Sequence, residues 1–390
     1  MHVLILPSWY PVDSSDINGI FFRDQALALK DYGHKVGVVA AVAHPPEKII
    51  TSAPKIDSFE YDNGIPTFRK SFWSILPYFP YGNYLLWRRI ARRLFIQYTA
   101  AYGMPDIIHA HSAIYAGVVA VELGSQYGLP VVLTEHRSGF ARNVFMNWQL
   151  RLAAKAFENV DKRIVVSPVL GELLTRILKS DKTDWHWIPN IVANRFYSVS
   201  NNIQTDKNRP VRLLNLALMT KNKGQQILLE AFAKAFAGNS AVELWLGGDG
   251  PLRAKLVSRA SLLGLDNQVK FLGKINSNDV PDLINHIDVM VISSFYETFG
   301  IVAAEALVTG KPVVATRCGG PECIIGEADG LLVKPGCPAD LAQAMIKIIN
   351  NLHQYPSDEI ASRARTRFCG QVVAKQLSDI YQEVLQRYRT

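Results

Sequence analysis

Glu297-Thr298-Phe299-Gly300-Ile301-Val302-Ala303-Ala304-Glu305 is the most informative stretch of this chain. It follows the short apolar run Val289–Ile292 and a turn of two serines, and it ends inside an apolar segment of helical length. Short apolar runs are typical of buried parallel strands, whereas the longer segment favours a helix. The stretch therefore predicts a strand-to-helix junction, the place where open parallel sheets bind ligands.

The start of the predicted helix has the chemistry of an anion site. Gly300 has no side chain, so a ligand can approach its backbone closely. The amides of Phe299, Gly300 and Ile301 precede the first helical hydrogen bonds, and the helix dipole adds positive charge there. We expect these amides to bind a phosphate group.

Glu305 lies within the otherwise apolar segment Ile301–Val308. Burying a lone carboxylate costs several kcal/mol unless a partner satisfies it. A ribose diol could donate two hydrogen bonds to one carboxylate. Glu305 is therefore a candidate ribose ligand; the alternative is a structural partner for a buried arginine or a helix N-terminus.

Two other loops have the same strand, turn and helix order. Lys221-Asn222-Lys223-Gly224 follows a strand predicted to end at Leu218, and a lysine there would neutralise a diphosphate leaving group. Gly247-Gly248-Asp249-Gly250-Pro251 predicts by itself only a tight turn. Either loop alone is weak evidence for a ligand site; the order of both loops together with the Glu297 stretch is what favours one.

Short apolar runs alternate with amphipathic helical stretches along the whole chain. The strand candidates are Val3–Leu6, Val36–Val42, Ile107–His109, Val131–Thr134, Arg163–Val166, His186–Ile188, Leu213–Leu218, Val242–Leu246, Val269–Leu272, Val289–Ile292, Val313–Ala315 and Leu331–Val333. The helical stretches between them include Phe21–Tyr32, Ala113–Tyr127, Trp148–Phe157, Gln225–Phe236 and Leu252–Leu263. This alternation predicts an α/β protein with two facing Rossmann-like, doubly wound parallel-sheet domains and a cleft between them.

The polar segment Ser198–Pro210 has the composition of a linker between these domains. We therefore assign residues 1–198 to an N-terminal domain and residues 199–370 to a C-terminal domain. Residues 371–390 form a final helix whose apolar stripe could pack on either domain, the N-terminal domain included.

The bulk composition excludes several classes of protein. Hydrophobic residues make up 48% and charged residues 19% of the chain, as in a protein with a substantial core. The four cysteines show no paired C-x-x-C spacing, which favours reduced thiols over a metal or disulfide framework. No basic region precedes the first apolar run and no run reaches membrane-spanning length, so we expect a cytoplasmic protein.

One segment of the chain is rich in basic and aromatic residues and lacks acidic ones. No acidic residue occurs between Asp62 and Asp106, and Tyr84–Tyr98 predicts a helix with a basic face containing Arg88, Arg89, Arg92 and Arg93. Such a helix can lie on an anionic membrane surface, although it could also be a solvated helix packed on its own domain. No nucleic-acid-binding module accompanies the patch, so no nucleic acid partner is expected.

In its ordered set of motifs the chain resembles retaining family 4 glycosyltransferases of the GT-B fold (glycosyl transferases group 1). The resemblance covers nearly the whole chain. Its motifs are Pro7-Ser8-Trp9-Tyr10-Pro11, Asn18-Gly19-Ile20-Phe21, Asp106 to His111, Thr134-Glu135-His136, Ile188-Pro189-Asn190, Lys223-Gly224, Gly248-Asp249-Gly250-Pro251, the two glutamates with Phe299-Gly300 between them, and Gly319-Gly320-Pro321-Glu322.

The resemblance implies that residues 1–198 form the acceptor-side domain and residues 199–370 the nucleotide-sugar-binding domain. It also implies a role for each matching residue. Glu297 contacts hydroxyls of the transferred sugar, and His136 hydrogen-bonds that sugar at the reaction centre. Glu305 holds the ribose, while Lys223 contacts the diphosphate with help from amides near Phe299, Gly300 and Ile301. Gly19 and Gly248 bring their loops against the donor. His109 and His111 are expected to be structural residues at a strand end, because two ligands are too few for a metal site.

One position departs from the family pattern. The family commonly has an arginine five residues before the lysine, and this chain has Leu218 there. Lys221 is a candidate phosphate helper, although a lysine lacks the bidentate fork of arginine. The chain contains no Asp-x-Asp pair, so we expect neither a catalytic metal nor another cofactor.

The predicted activity is a retaining, metal-independent hexosyl transfer from a UDP- or GDP-sugar to an acceptor hydroxyl. The basic helix favours a lipid-linked or membrane-bound glycan acceptor, in surface polysaccharide or lipopolysaccharide assembly on the inner face of the cytoplasmic membrane. The alternatives are a soluble small-molecule acceptor, another GT-B enzyme such as an epimerase or phosphorylase, and a non-catalytic nucleotide-sugar-binding scaffold. A dehydrogenase fits less well, because no G-x-G-x-x-G follows the first strand.

Overall fold

The computed structural model describes residues 1–12, 16, 18–44, 58–74, 81–179, 184–197 and 209–389. The chain divides into two compact units: unit 1 comprises Met1–Ile191 and Gly370–Thr390, and unit 2 comprises Val192–Cys369. The linker predicted at Ser198–Pro210 lies outside the described residues except for its last two positions. The final helix belongs to unit 1.

Unit 1 is built on an eight-stranded sheet of order β3-β4-β2-β1-β5-β6-β7-β8. Its strands are β1 His2–Pro7, β2 Lys35–His44, β3 Ser58–Asp62, β4 Ile65–Trp73, β5 Ile107–His111, β6 Val131–Glu135, β7 Lys162–Val165 and β8 His186–Trp187. Its helices are α1 Ile20–Asp31, α2 Gly82–Tyr102, α3 Val118–Tyr127, α4 Asn147–Asn159, α5 Pro168–Leu178 and, after unit 2, α13 Gly370–Arg389. All neighbouring strands are parallel except β3 and β4.

Unit 2 is built on a six-stranded parallel sheet of order β11-β10-β9-β12-β13-β14. Its strands are β9 Val211–Leu216, β10 Val242–Gly247, β11 Val269–Gly273, β12 Val289–Ile292, β13 Val313–Thr316 and β14 Gly330–Val333. Its helices are α6 Gln225–Phe236, α7 Arg253–Leu262, α8 Val280–Asn285, α9 Ile301–Val308, α10 Pro321–Ile324, α11 Pro338–Asn350 and α12 Ser357–Phe368. The predicted α/β class with two doubly wound, Rossmann-like sheets is confirmed.

The β3–β4 hairpin at the edge of unit 1 is absent from the sequence-based prediction. Asp62 pairs with Ile65 across a two-residue turn formed by Asn63 and Gly64, whose φ angles are 51° and 76°. Two consecutive positive φ angles define a type I′ turn, for which Asn-Gly is the preferred sequence. The Asn-Gly pair between apolar runs was the signal that could have revealed this hairpin.

The predicted continuous helix Ala113–Tyr127 is wrong in its first turn. Ile114 and Tyr115 have non-helical backbone angles, and a regular helix starts only at Val118. The hydroxyl of Ser8 donates to the carbonyl of Ile114 at 2.7 Å, and the Glu135 carboxylate accepts from the amide of Ala113 at 2.8 Å. These contacts, from Ser8 directly after β1 and from Glu135 on β6, hold the segment in a shape that its local sequence does not predict.

The core of unit 1 includes the last helix of the chain. Val373, Leu377, Tyr381 and Val384 on α13 are buried in one cluster with residues of β1, β2 and α1. The stripe therefore packs on unit 1. Unit 2 has its own core, formed by its central strands with α6, α7 and α11.

Candidate active site

Lys223 and Glu297 meet at the carboxyl-terminal edge of the sheet in unit 2. Lys223 ends a short 3-10 turn after β9, and its Nζ lies 2.7 Å from Oε1 of Glu297 in the loop after β12. The hydroxyl of Ser294 donates to the same oxygen at 2.6 Å. Both side chains are less than one-quarter exposed. The structure thus brings together two predicted site residues, and Ser294 joins them as a residue that the sequence did not single out.

The loop that contains Glu297 is fixed by backbone contacts to the loop after β13. The Glu297 amide donates to the carbonyl of Cys318 at 2.8 Å, and the Gly320 amide donates to the carbonyl of Glu297 at 2.9 Å. The carboxylate of Glu322 accepts from the Gly319 amide. A Cβ on Gly320 would lie 2.1 Å from the carbonyl oxygen of Phe299, so only glycine permits this approach.

Helix α9 begins directly after this loop. Gly300 is its N-cap residue with a φ of 87°, Phe299 is buried, and Ile301 is the first helical residue. The helix dipole therefore points its positive end toward the Glu297 loop. Glu305 lies one turn further along α9 and is half-buried, less enclosed than the sequence suggested.

The two glycine loops of unit 2 allow close backbone packing. A Cβ on Gly224 would lie 2.1 Å from the carbonyl oxygen of Ser293, and one on Gly248 would lie 2.1 Å from that of Ala217. Lys221 is exposed beside them, and Leu218 is 58% exposed. No buried contact in the described part of the chain thus explains the leucine at the position where the family commonly has arginine.

His136 follows β6 in unit 1 and is buried. Its Nε2 lies 3.1 Å from Nδ1 of His111, and it forms a further hydrogen bond with the side chain of Asn190. Burial is the main cause that lowers the pKa of His136 to about 3. The imidazole is therefore neutral at physiological pH and can act as a hydrogen-bonding group but not as a cation.

His109 and His111 extend this buried row of rings. Nδ1 of His109 lies 2.6 Å from the hydroxyl of Tyr381 on α13, and its Nε2 lies 2.7 Å from the hydroxyl of Thr134. Burial lowers the pKa of both histidines, that of His109 to about 3. Among the residues that the structure describes, no group of three His, Cys, Asp or Glu side chains is arranged to hold a metal ion.

Gly19 brings the first loop of unit 1 close to His136. It is the N-cap residue of α1 with a φ of 80°, and a Cβ there would lie 3.0 Å from the ring of Trp9. The ring of Phe21, in the first turn of α1, lies 5.1 Å from that of His136 between centroids. The two predicted donor contacts of unit 1, Gly19 and His136, thus lie at one edge of its sheet.

Glu135 is a buried residue of this edge whose role sequence reasoning missed. Its carboxylate accepts hydrogen bonds from the amides of Ala113, His136 and Arg137, each at 2.8 Å. It thereby fixes the backbone on both sides of His136 and joins β6 to the irregular segment after β5. The only sequence signal was a carboxylate next to His136 at a strand end.

The four arginines of α2 differ in their surroundings. Nε of Arg88 lies 2.6 Å from the carboxylate of Glu122 on α3. Arg92 donates a hydrogen bond to the side-chain oxygen of Gln126, which also lies on α3. Arg89 and Arg93 are exposed, with the exposed aliphatic side chains of Leu85 and Ile96 beside them.

Across the part of the chain that the structure describes, every helix is too short or too polar to cross a membrane.

Two sequence families match the chain. Glycosyltransferase Family 4 matches residues 19–194, and Glycosyl transferases group 1 matches residues 210–351. A relative in Bacillus subtilis (strain 168), a glycosyltransferase whose name assigns it provisionally to teichuronic acid biosynthesis, is 26% identical over 98% of this chain and 99% of its own.

Solved structures share the fold over the same length. Sucrose-phosphate synthase from Thermosynechococcus elongatus has a TM-score of 0.79 at 22% identity, covering 99% of this chain and 100% of its own. HepE from Anabaena in complex with UDP has a TM-score of 0.74 at 21% identity, covering 98% of this chain and 100% of its own. These likenesses confirm the predicted GT-B fold.

Proposed function

Because the chain belongs to the group 1 and family 4 glycosyltransferases of the GT-B fold, we propose that it transfers a sugar from a nucleoside diphosphate to an acceptor hydroxyl with retention of anomeric configuration. The observation that carries the proposal is the Lys223–Glu297 pair at the carboxyl edge of the unit 2 sheet, beside the start of α9. Here a cation, a carboxylate and a helix N-terminus lie together, which suits a diphosphate joined to a sugar.

Unit 2 supplies the groups for the donor in this proposal. Lys223 and the amides near Phe299, Gly300 and Ile301 bind the diphosphate, and Gly248 allows the donor to approach its loop. Glu297 accepts hydrogen bonds from hydroxyls of the transferred sugar, and Glu305 accepts them from the ribose. UDP is the first nucleotide to test, since HepE from Anabaena binds it, and GDP is the second.

The reaction takes place on one face of the sugar. The bond from the anomeric carbon to the departing phosphate oxygen breaks, and a bond forms from that carbon to the acceptor oxygen. The departing phosphate takes the proton of the acceptor hydroxyl, so no protein nucleophile is required. The protein contributes positioning and electrostatic stabilisation, and His136 contributes a neutral hydrogen-bonding group to the donor sugar.

No metal or other cofactor takes part in the proposed reaction. The developing negative charge on the leaving diphosphate is met by Lys223, with Lys221 as a helper, and by the dipole of α9. A chelator such as EDTA should therefore leave the rate of transfer unchanged.

The proposed acceptor is a lipid-linked or membrane-bound glycan used in surface polysaccharide or lipopolysaccharide assembly. The exposed Arg89 and Arg93, next to Leu85 and Ile96, combine positive charge with apolar side chains on one face of α2. Basic amphipathic helices with such a face bind anionic lipid headgroups. The protein would therefore work as a peripheral protein on the cytoplasmic leaflet.

A thermal-shift panel of UDP- and GDP-sugars, without added metal, tests the donor site. A ligand that binds only the native state raises the melting temperature by mass action. We expect one nucleotide series to raise the melting temperature of the wild type, Glu305→Ala to lose that shift, and the exposed control Glu327→Ala to retain it. A shift that survives in Glu305→Ala would overturn the ribose assignment; no shift in the wild type with any donor would count against the proposed function.

A further inference from the structure

Arg137 is a cation in unit 1 that the proposed donor chemistry does not use. It follows His136 directly, and its guanidinium carbon lies 4.6 Å from the centre of the Trp9 ring and 5.9 Å from that of Phe145. Within the described residues, its Nε is buried without a hydrogen-bond partner. A guanidinium keeps its charge in proteins, and this unused Nε–H favours an acceptor from outside.

The nearby carboxylate of Glu135 is already used by backbone amides, so the positive charge of Arg137 is available to a ligand. Glu135 lies two positions away, but its oxygens already accept from the amides of Ala113, His136 and Arg137 itself. Burial lowers the pKa of Arg137, while the charges of Glu135 and Tyr115 raise it. Arginine guanidinium groups keep their charge in proteins. An oxyanion would complete the hydrogen bonds of this site.

The surrounding backbone is strained in a way that supports a binding site. Ser112 and Tyr115, directly after β5, have φ angles of 71° and 80°, which side-chain-bearing residues rarely adopt. The Ser112 hydroxyl is buried and, among the residues described, has no hydrogen-bond partner. Strained backbone and unpartnered polar groups cluster at functional sites, because surrounding contacts must hold them in place.

We propose that Arg137, stacked on Trp9, forms a subsite in unit 1 for an oxyanion carried by the acceptor, either a phosphate or a carboxylate. The subsite rests on the proposed function, since it assumes that the acceptor binds to unit 1 beside His136. Arginine suits both groups because its planar fork binds two oxygens at once. The guanidinium carbon lies over the Trp9 ring, and this cation–π contact holds the group in place.

The test uses nuclear magnetic resonance on the full-length, uniformly ¹⁵N-labelled protein. Arg137→Lys identifies the Nε–H signal of Arg137, and Trp9→Phe identifies the indole signal of Trp9. Inorganic phosphate, glucuronate, glucose and UDP are then titrated separately. We expect phosphate or glucuronate to shift both signals saturably, and glucose to leave them in place.

The arms of the titration separate the sources of the anion. A response to phosphate alone indicates a phosphorylated acceptor, and a response to glucuronate indicates an acidic sugar. If UDP shifts both signals while phosphate and glucuronate do not, the subsite belongs to the donor and the acceptor assignment is wrong. No response to any anion overturns the proposal.

Variants give a second measure of the same subsite. With Trp9 as the reporter, Arg137→Gln should bind the responding anion about ten-fold more weakly or worse. The exposed Arg142→Gln, five residues along, should bind it as the wild type does. Equal binding by Arg137→Gln and Arg142→Gln would contradict the proposal. If Arg137→Gln does not fold, the response of the wild-type Arg137 signal to the anions decides whether the subsite exists. The shift in melting temperature with the donor tests the proposed function separately.

Discussion

Nζ of Lys223 lies 2.7 Å from Oε1 of Glu297, across 74 positions of sequence, and Ser294 donates to the same oxygen. The contact pairs a positive charge with a negative one. A bound diphosphate would compete with Glu297 for Lys223, and sugar hydroxyls would compete with Lys223 for Glu297. The pair therefore keeps each group oriented toward the place where its ligand would bind.

Lys223→Gln and Glu297→Gln should separate donor binding from catalysis. Lys223→Gln removes the cation for the diphosphate, so donor affinity should fall about ten-fold or more. Glu297→Gln keeps the shape of the side chain but weakens its acceptor strength, so kcat should fall about 10²- to 10³-fold with a smaller change in KM. Release of the nucleoside diphosphate from the donor that raises the melting temperature measures both, and Lys221→Gln is the control with the smaller expected effect. Equal changes in KM and kcat for both variants would contradict these separate roles.

Leu218→Arg should strengthen binding of the nucleoside diphosphate. Leu218 is 58% exposed in the loop after β9, so a longer side chain at this position meets no buried contact. The Gln225 side chain donates to the backbone carbonyl oxygen of Leu218, a hydrogen bond that the substitution leaves in place. A partly exposed arginine near a diphosphate should contribute about 1 kcal/mol, or roughly five-fold in affinity. Isothermal calorimetry with UDP or GDP measures the change. Leu262→Arg, at the exposed end of α7, is the control for added charge, and an equal gain there would exclude a local effect.

Gly224→Ala should damage unit 2 far more than Gly238→Ala. Both glycines have positive φ angles, 64° and 78°, so both substitutions strain the backbone by about 1–2 kcal/mol. A Cβ at Gly238 meets nothing within 4 Å, whereas one at Gly224 would lie 2.1 Å from the carbonyl oxygen of Ser293. Gly224→Ala should therefore move the Lys223 turn away from β12 and lower both the melting temperature and the donor-induced shift. Identical melting curves for the two variants would show that the loop relaxes at little cost.

The success of the sequence-based predictions depended on how local the determinants are. Strand β12 was predicted residue for residue, because a buried apolar run between Asp288 and Ser293 has local boundaries. The kink at Ile114 and Tyr115 was missed because its constraints come from Ser8, directly after β1, and from Glu135 on β6. Arg137 and Trp9 were missed for the same reason: they are far apart in sequence, and only folding places one over the other.

Acid should destabilise unit 1 through its buried histidines. Burial lowers the pKa of His109 and His136 to about 3, below the value of about 6.5 for the unfolded chain. Between these values the unfolded state binds more protons, so stability is greatest above about pH 6.5 and falls as the pH decreases. Each histidine contributes up to about 1.4 kcal/mol per pH unit in that window.

The free energy of unfolding is measured by urea denaturation between about pH 7.5 and about pH 5, in steps of about one pH unit. Hydrogen–deuterium exchange in peptides that cover β5 and β6 then reports on unit 1. His109→Gln should have a shallower pH dependence than the wild type, by about one proton. His353→Gln, an exposed position in unit 2, should not change the dependence. A wild-type stability in unit 1 that is flat over this range would show that the histidines are charged in the folded state.

Arg89 and Arg93 should account for most of the binding of α2 to anionic vesicles. Their guanidinium groups are exposed next to Leu85 and Ile96, whereas Arg88 and Arg92 contact Glu122 and Gln126. With about 1 kcal/mol for each arginine near the surface, Arg89→Gln with Arg93→Gln should weaken binding roughly 30-fold. Co-sedimentation with phosphatidylglycerol vesicles at low and high salt measures this. Arg253→Gln with Lys255→Gln, an equal charge change on exposed positions of α7, is the matched control. Equal losses in the two double variants would show that net charge alone explains vesicle binding and that α2 is not the membrane-binding surface.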